Sequence, residues 1–448
     1  MVTSDLISTL ENRYKKILSK RTKQKINRLE DEFLEKFWDF IPDNIAKESL
    51  DAEELAEGIK KRISKEELPV ITLDDIYIKP EEVSGYLSIC RITDATGNIS
   101  GLGPRPGDKS LDQQLEDLTK KFDKIALVDI GAFGGDTTVE VINLFQSKGI
   151  KVGRVYLGVC GQEAIDKIKK MTGVPVTAER IYTFYEWIEL RDFFGIDGRK
   201  TADGAIRPYW ENLTKWASIP EKNAEDVKKL CIEYNKKLQD ILNTQLFIFD
   251  LDGTLYSFKE GSFEQSDFAK EIRDRSVDFI ASKLGTTKQE AERIREYINS
   301  RYGGEISIGV EKEFDIPRDE YFNYVWDIDA RKYLSKDEKL VDLLRRIPGK
   351  KVILTTAPKI WAERALKALG VDGLFDDIFT GEPDVRKPNP EAFRQILEKY
   401  RCKPKDAVMI GDSPKEDIIP ARKLGIETIL IRETGIYALE KLIRGETA

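Results

Sequence analysis

The sequence predicts an α/β fold built from two parallel-sheet domains. Two observations carry this expectation. Short apolar strands alternate with amphipathic helical stretches in both halves of the 448-residue chain, and a glycine-bearing turn directly follows a buried-looking strand in each half. At roughly 150 residues per domain, the length suits about three domains. Hydrophobic residues make up 40% and charged residues 34%, a mixture that builds cores and excludes a disordered chain.

Residues 1–65 read as a charged helical segment. Leu6, Leu10, Tyr14 and Leu18 recur every four residues, as do Leu29, Phe33 and Phe37, each series marking one buried helical stripe. The basic run from Lys15 to Arg28, beside Glu30, Asp31 and Glu32, reads as a solvated helix face rather than an RNA contact. Residues 66–222 form the first α/β domain. Its strands are Val70–Leu73, Tyr86–Cys90, Ile125–Ile130 and Val155–Val159, with a Gly/Pro loop over Gly101–Gly107 and a helix over Thr137–Gln146. Strand, glycine turn, helix and strand make a βαβ unit, which demands parallel pairing. Residues 223–243 carry Val227, Leu230, Tyr234, Leu238 and Ile241 on one helical face and read as a linker helix. Residues 244–448 form the second α/β domain, with strands Gln245–Phe249, Lys351–Leu354, Ala407–Ile410 and Thr428–Ile431. Helices over Trp361–Leu369, Pro390–Tyr400 and Lys415–Leu424 lie between them. An all-helical insert, about 257–340, interrupts the alternation after the first strand and reads as a lid.

Composition narrows the chemistry. The chain has no histidine, which removes Ser-His-Asp triads, Cys-His dyads, His-ligated zinc and imidazole acid–base catalysis. A net charge of −7 argues against general nucleic-acid binding or a membrane-surface role. Cys90, Cys160, Cys231 and Cys402 are widely spaced, so reduced thiols are expected and a zinc cluster is not. The start Met1–Asp5 has no apolar segment behind it and no run approaches a membrane span, so a cytoplasmic protein is expected.

Ligands of open α/β sheets gather at the carboxyl ends of the strands. In the second domain those ends carry Asp250-Leu251-Asp252-Gly253-Thr254, Thr355-Thr356 and Gly411-Asp412-Ser413 with Asp417, while Lys387 stands in a loop before a helix. Carboxylates, a hydroxyl and an ammonium converging from separate segments suit phosphoryl transfer. One carboxylate attacks phosphorus and a second gives a proton to the leaving oxygen. A hard cation bound by oxygen offsets the repulsion between carboxylate and phosphate.

Phe249–Tyr256, Thr355, Lys387-Pro388-Asn389-Pro390 and Gly411-Asp412-Ser413…Asp417 together resemble the four motifs of the haloacid-dehalogenase-like (HAD) phosphatases, over about residues 244–435. The resemblance implies a Rossmann-like core with a helical cap of the C1 type. It makes Asp250 the nucleophile of an aspartyl-phosphate and Asp252 the general acid/base, with Thr355 and Lys387 binding the phosphoryl group. It assigns Mg²⁺ to Asp250, Asp252 through its backbone carbonyl, and Asp412, with Asp417 supporting the metal or the lysine. Within the insert, Leu284-Gly285, Tyr297, Tyr302-Gly303-Gly304, Tyr321 and Asp327-Ile328-Asp329 are similar to the cap of the pyrimidine 5′-nucleotidase branch, as is Tyr256. That branch implies a nucleoside monophosphate or a small sugar phosphate as substrate. Thr356 stands where the branch usually has asparagine.

In the first domain, Asp129 and the turn Gly134-Gly135-Asp136-Thr137-Thr138 join strand to helix, offering backbone N–H groups to an anion. The segment resembles the phosphoribosyl pyrophosphate (PRPP) loop of type I phosphoribosyltransferases, which implies a phosphoribosyltransferase-like domain. Ile130 replaces the second acidic residue of that loop and Gly134 its first threonine. The phosphate turn of actin-like ATPases, which a hairpin should follow, is a second resemblance, and a turn that only packs helix on sheet is a third reading. Two functions are therefore weighed. One is a Mg²⁺-dependent phosphatase fused to a nucleotide- or PRPP-binding module, and the other a non-catalytic nucleotide- or phosphosugar-binding sensor in which the second domain serves as a partner-binding scaffold. The amphipathic N-terminal helices pack either on the chain's own domains or on a second copy, as a homo-oligomer.

Overall fold

A computed structural model of the chain describes residues 2–4, 6–183, 188–196, 198–217, 219–258, 262–431 and 435–444. Residues 259–261 of the expected insert, Met1 and Asp5 of the chain start, and 445–448 at its end lie outside the described residues. The chain folds into two compact units, one of residues 1–16 and 21–240, the other of residues 17–20 and 241–448.

In the first unit a five-stranded, all-parallel sheet runs in the order Gly85–Tyr86, Val70–Thr72, Lys124–Ala132, Lys151–Gly161, Val176–Tyr182. Period-two alternation sorts its side chains between two cores. Ile125 and Leu127 join Val141, Ile142 and Phe145 of the helix Asp136–Ser147 on one face. Ala126, Val128 and Ile130 join Leu55 and Ile59 of the helix Ala52–Ile63 on the other. That second helix starts cleanly because the Asp51 carboxylate accepts from the Glu53 and Glu54 N–H groups. The stripe Leu29, Phe33, Phe37 of the helix Lys20–Trp38 is buried, and Phe33 and Phe37 pack on Phe193 and Tyr234.

Three expectations for this unit need correction. The N-terminal segment is not purely helical, because Val2–Ser4 pairs in parallel with both Ser49–Asp51 and Ile188–Glu189. The apolar run Tyr86–Cys90 is not one strand. It divides between Gly85–Tyr86 in the main sheet and Cys90–Thr93 in a separate four-stranded sheet. The Gly/Pro loop begins as a strand, Ile99–Gly103, antiparallel to Cys90–Thr93. The hairpin has a local cause: the Asp94 carboxylate accepts from the Thr96 and Asn98 N–H groups, and Gly97 takes φ +91°.

The second unit is organised around another five-stranded parallel sheet, in the order Asp377–Phe379, Lys350–Leu354, Leu246–Phe249, Ala407–Gly411, Glu427–Leu430. The edge strand Asp377–Phe379 was not among the expected strands. It has only three residues, all partly exposed, so it has no apolar run to announce it. Phe247, Phe249, Ile353 and Ile410 face one core, while Leu246, Ile248, Val352 and Met409 face the other. Burying a side chain of this size contributes about 2 kcal/mol. The insert is helical as expected, with Asp267–Leu284, Lys288–Arg301, Ile306–Phe314 and Arg318–Val325. The segment read as a helix over Lys415–Leu424 opens instead with a wide π-type turn, Pro414–Ile418, before the helix Ile419–Lys423. That turn brings Asp417 back over the strand end, where its carboxylate accepts the Ser413 N–H at 3.0 Å.

Candidate active site

The central strand of the second sheet is fully buried from Leu246 to Phe249, so its carboxyl end is a rigid platform. Parallel pairing puts Phe249 level with Ile353 on one side and Ile410 on the other, and the Asp250 N–H donates to the Ile410 carbonyl at 2.9 Å. The next residues of all three strands therefore meet at one end of the sheet. Asp250 is 5% exposed. One carboxylate oxygen accepts from the Lys387 ammonium at 2.6 Å and the other from the Thr254 hydroxyl at 2.9 Å. Lys387 also donates to Asp417 at 2.7 Å, and Asp417 has no exposed area. Asp250, Asp412 and Asp417 each offer an oxygen within 4.8 Å of the others.

Two glycines make this crowding possible. Gly253 has φ +83°, and a Cβ there would strike the Asp412 carboxylate. A Cβ at Gly411 would overlap the carboxylate of Asp417.

Asp252 belongs to a different environment. It is half-buried, and its Oδ1 accepts from the Tyr256 hydroxyl and, at 2.9 Å, from the Trp361 indole N–H. Its Oδ2 accepts from the Thr355 hydroxyl at 3.3 Å. Burial lifts its carboxyl above the ordinary aspartate range and the charge of Asp250 adds to this, against the hydrogen bonds from Tyr256 and Trp361. Asp417 is pushed up to about 7, by burial first and then by the balance between Asp250 and the opposing Lys387. Asp412 stands at the exposed rim, hemmed in by neighbouring chain. It is pushed up to about 6, by loss of solvent and then by Asp250. Burial works against the charge of Lys387, but Asp250 and Asp417 outweigh it and raise its ammonium above the ordinary value.

All the residues expected at this site thus meet: Asp250, Asp252, Thr355, Lys387, Asp412 and Asp417. The donor set is wholly oxygen and carries more negative charge than Lys387 alone neutralises, which fits a hard divalent cation. Both Asp417 oxygens are already engaged, by Lys387 and by the Ser413 N–H, which suits Asp417 to holding the lysine. Sequence reasoning missed the contacts of Thr254 and Trp361. Trp361 lies in the first turn of the helix Lys359–Leu369, which starts at the carboxyl end of the strand Lys350–Leu354. In the sequence it reads as one member of that helix's buried stripe, with Ala362, Ala365 and Leu366, and so as core packing.

In the first unit, Asp129 and Thr137 line a cavity of about 250 Å³, together with Asp74, Arg91, Arg105 and Arg191. The Arg91 guanidinium donates to the Thr137 hydroxyl at 3.1 Å. Asp129 is pushed up to about 7, by burial and then by the charge of Asp74. The other expected turn residues do not line this cavity. Gly135 (φ +79°) lies against the Ala164 backbone, Asp136 pairs with Lys167 at 2.7 Å, Thr138 is 5% exposed, and Gly134 is exposed beside Asp136. The chain continues from the turn as the helix Asp136–Ser147, not as the hairpin that the actin-like resemblance requires. Among the described residues no helix is long and apolar enough to cross a membrane.

Comparison with known proteins agrees with the second unit. Residues 244–425 match the family described as haloacid dehalogenase-like hydrolase. The chain is 29% identical over 198 residues to a glyceraldehyde 3-phosphate phosphatase of Methanothermobacter thermautotrophicus, covering 41% of this chain and 83% of that one. It is 27% identical over 207 residues to a phosphoglycolate phosphatase of Vibrio parahaemolyticus, covering 42% and 82%. A HAD phosphatase crystal structure from Thermococcus onnurineus superposes with a TM-score of 0.35 at 24% identity, over 46% of this chain and all of that one. Motif geometry and family match coincide on the same residues: residues 244–425 form a haloacid dehalogenase-like hydrolase domain, similar to proteins named as phosphatases.

Proposed function

We propose that residues 244–448 act as a Mg²⁺-dependent phosphomonoester hydrolase with Asp250 as nucleophile and Asp252 as general acid/base. The observation that carries this reading is the separation of two carboxyl groups two residues apart. Asp250 is held by Lys387 and Thr254, while Asp252 is held by Tyr256, Trp361 and Thr355. An Asp250 oxygen forms a bond to phosphorus as the bond to the leaving oxygen breaks, and that oxygen takes its proton from Asp252. Water then attacks the phosphorus of the aspartyl-phosphate and gives a proton to the Asp252 carboxylate. Inorganic phosphate leaves and both side chains are restored. The raised Asp252 carboxyl keeps a proton available for the first step. Lys387 and Thr355 hold the non-bridging oxygens.

Asp250 and Asp412 side chains and the Asp252 carbonyl would hold Mg²⁺, with Asp417 anchoring Lys387 beside it. The ion supplies charge neutralisation between the phosphate and this acidic cluster. The substrate is a small phosphomonoester, a nucleoside monophosphate or a sugar phosphate. Relatives named for glyceraldehyde 3-phosphate and phosphoglycolate support the small end of that range. The segment 1–65, the phosphoribosyltransferase-like domain 66–222 and the linker 223–243 complete the organisation. The mixture of carboxylates and arginines in the 250 Å³ cavity supports a nucleotide- or PRPP-binding role for that domain. Cys160 and Cys231 are buried free thiols, in keeping with a cytoplasmic location.

The test is phosphate release by the full chain from p-nitrophenyl phosphate and a panel of nucleoside monophosphates and sugar phosphates, with Mg²⁺ and with a chelator. Release should require Mg²⁺ and vanish in Asp250→Asn. Release that survives this substitution, or no release from any substrate, removes the hydrolase reading.

A further inference from the structure

We infer that Trp361 is a positioning residue of the hydrolase: its indole N–H fixes the Asp252 carboxyl for proton delivery to the leaving oxygen. The inference rests on the proposed reaction. Trp361 has no exposed area, and its only indole donor points to Asp252 Oδ1 at 2.9 Å. The same oxygen accepts from Tyr256, while Oδ2 accepts from Thr355. Two donors on Oδ1 leave the carboxyl little freedom to rotate, and a proton donor works only when its O–H lies along the line to its acceptor.

The indole is itself immobilised. Its ring stacks on Phe268 of the insert helix Asp267–Leu284 with centroids 4.0 Å apart and planes 26° from parallel. Phe268 packs in turn against Phe258, Phe263, Trp326 and Tyr333. Tyr256, the other donor, packs its ring against Phe258. Both donors on Oδ1 therefore belong to one aromatic cluster built on the insert. An insert helix with no ligand in this chemistry reaches the reacting centre by setting the direction of a single carboxyl group.

A role in proton delivery has a signature that packing lacks: it matters in proportion to how badly the leaving group needs a proton. The measurement is kcat/KM, which covers steps through leaving-group departure, for glycerol phosphate and for 2,4-dinitrophenyl phosphate. General acid catalysis contributes about 10²- to 10⁴-fold, and misdirecting the acid should lose roughly a tenth to a half of that on a logarithmic scale. In Trp361→Phe, kcat/KM should therefore fall about tenfold for the alkyl ester and less than about twofold for the dinitrophenyl ester. Trp361→His, which restores a ring N–H, should recover part of the alkyl-ester rate. Phe268→Leu removes the stacking partner but not the donor. It should lower the melting temperature and shift the ratio between the two substrates far less than Trp361→Phe does, because the donor stays in place. Equal losses on both esters in Trp361→Phe, or the same altered ratio in Phe268→Leu, would overturn the inference. A wild-type chain that hydrolyses neither these esters nor any substrate of the panel would instead remove the hydrolase reading beneath it.

Discussion

Replacing Lys387 by methionine tests the electrostatics of the site most directly. Lys387 is 3% exposed, and its ammonium bridges Asp250 at 2.6 Å and Asp417 at 2.7 Å, with Asp412 also within reach of the same cluster. Methionine conserves most of the volume, so the change is chiefly one of charge. Removing one partner of a buried ion pair costs about 3–5 kcal/mol, because the carboxylates stay behind unpaired. For a domain of this size, that corresponds to a melting temperature lower by roughly 10 °C. The pH dependence carries a sign. Burial already pushes Asp417 up to about 7, above the ordinary aspartate range, and the Lys387 charge is what holds it down. Without Lys387 it rises further. A carboxyl raised by folding keeps its proton in the native state, so its contribution to stability falls as pH climbs from about 4 to the native value. The variant extends that fall to higher pH. Its deficit against wild type should be smaller near pH 6 than near pH 8.5, since Asp250 stays unpaired at both. Thermal unfolding of the chelator-treated full chain, recorded by fluorescence at both pH values, measures this. A deficit that is the same at the two pH values would refute the electrostatic account, and no deficit at all would refute the buried pairing.

Two further outcomes follow from single residues. Asp129 is pushed up to about 7 in the native state, so ionising it opposes folding as pH rises from about 4 through 7. Asp129→Asn should flatten the pH dependence of the first unit's melting between pH 5 and pH 8, and an unchanged slope would remove the burial argument. Gly253→Ala places a Cβ on a φ of +83° and against Asp412, and should cost at least about 1 kcal/mol of stability. Phosphate release should fall more than tenfold through displacement of that carboxylate, and a fully active variant would mean that the turn has room to spare.

The strands were legible where a fully buried sheet writes an unbroken apolar run, as at Leu246–Phe249 and Ala407–Gly411. They were not legible at Asp377–Phe379, a three-residue edge that is partly exposed, or at Val2–Ser4, whose pairing comes from segments far along the chain. The run Tyr86–Cys90 misled for a related reason. Apolar continuity reports burial, and Leu87 and Ile89 are buried without belonging to a strand. At the turn after Asp129 the sequence showed the bend but not the cavity beside it. Its glycines make the bend, while the cavity forms from Asp129, Thr137 and arginines contributed by remote segments.

By itself the sequence determined the chemistry available to this protein. The lack of histidine leaves oxygen and ammonium groups to act, and short motifs after buried strands put them at strand ends, since parallel pairing aligns those ends whatever lies between. Only the tertiary structure decided how two aspartates two residues apart acquire different characters. Asp250 faces Lys387 and Thr254, while Asp252 faces Tyr256, Thr355 and an indole more than 100 residues away. Desolvation, charge and hydrogen bonding act through space, and at Asp252 they depend on an indole that one distant helix brings within 3 Å and the insert helix stacks against.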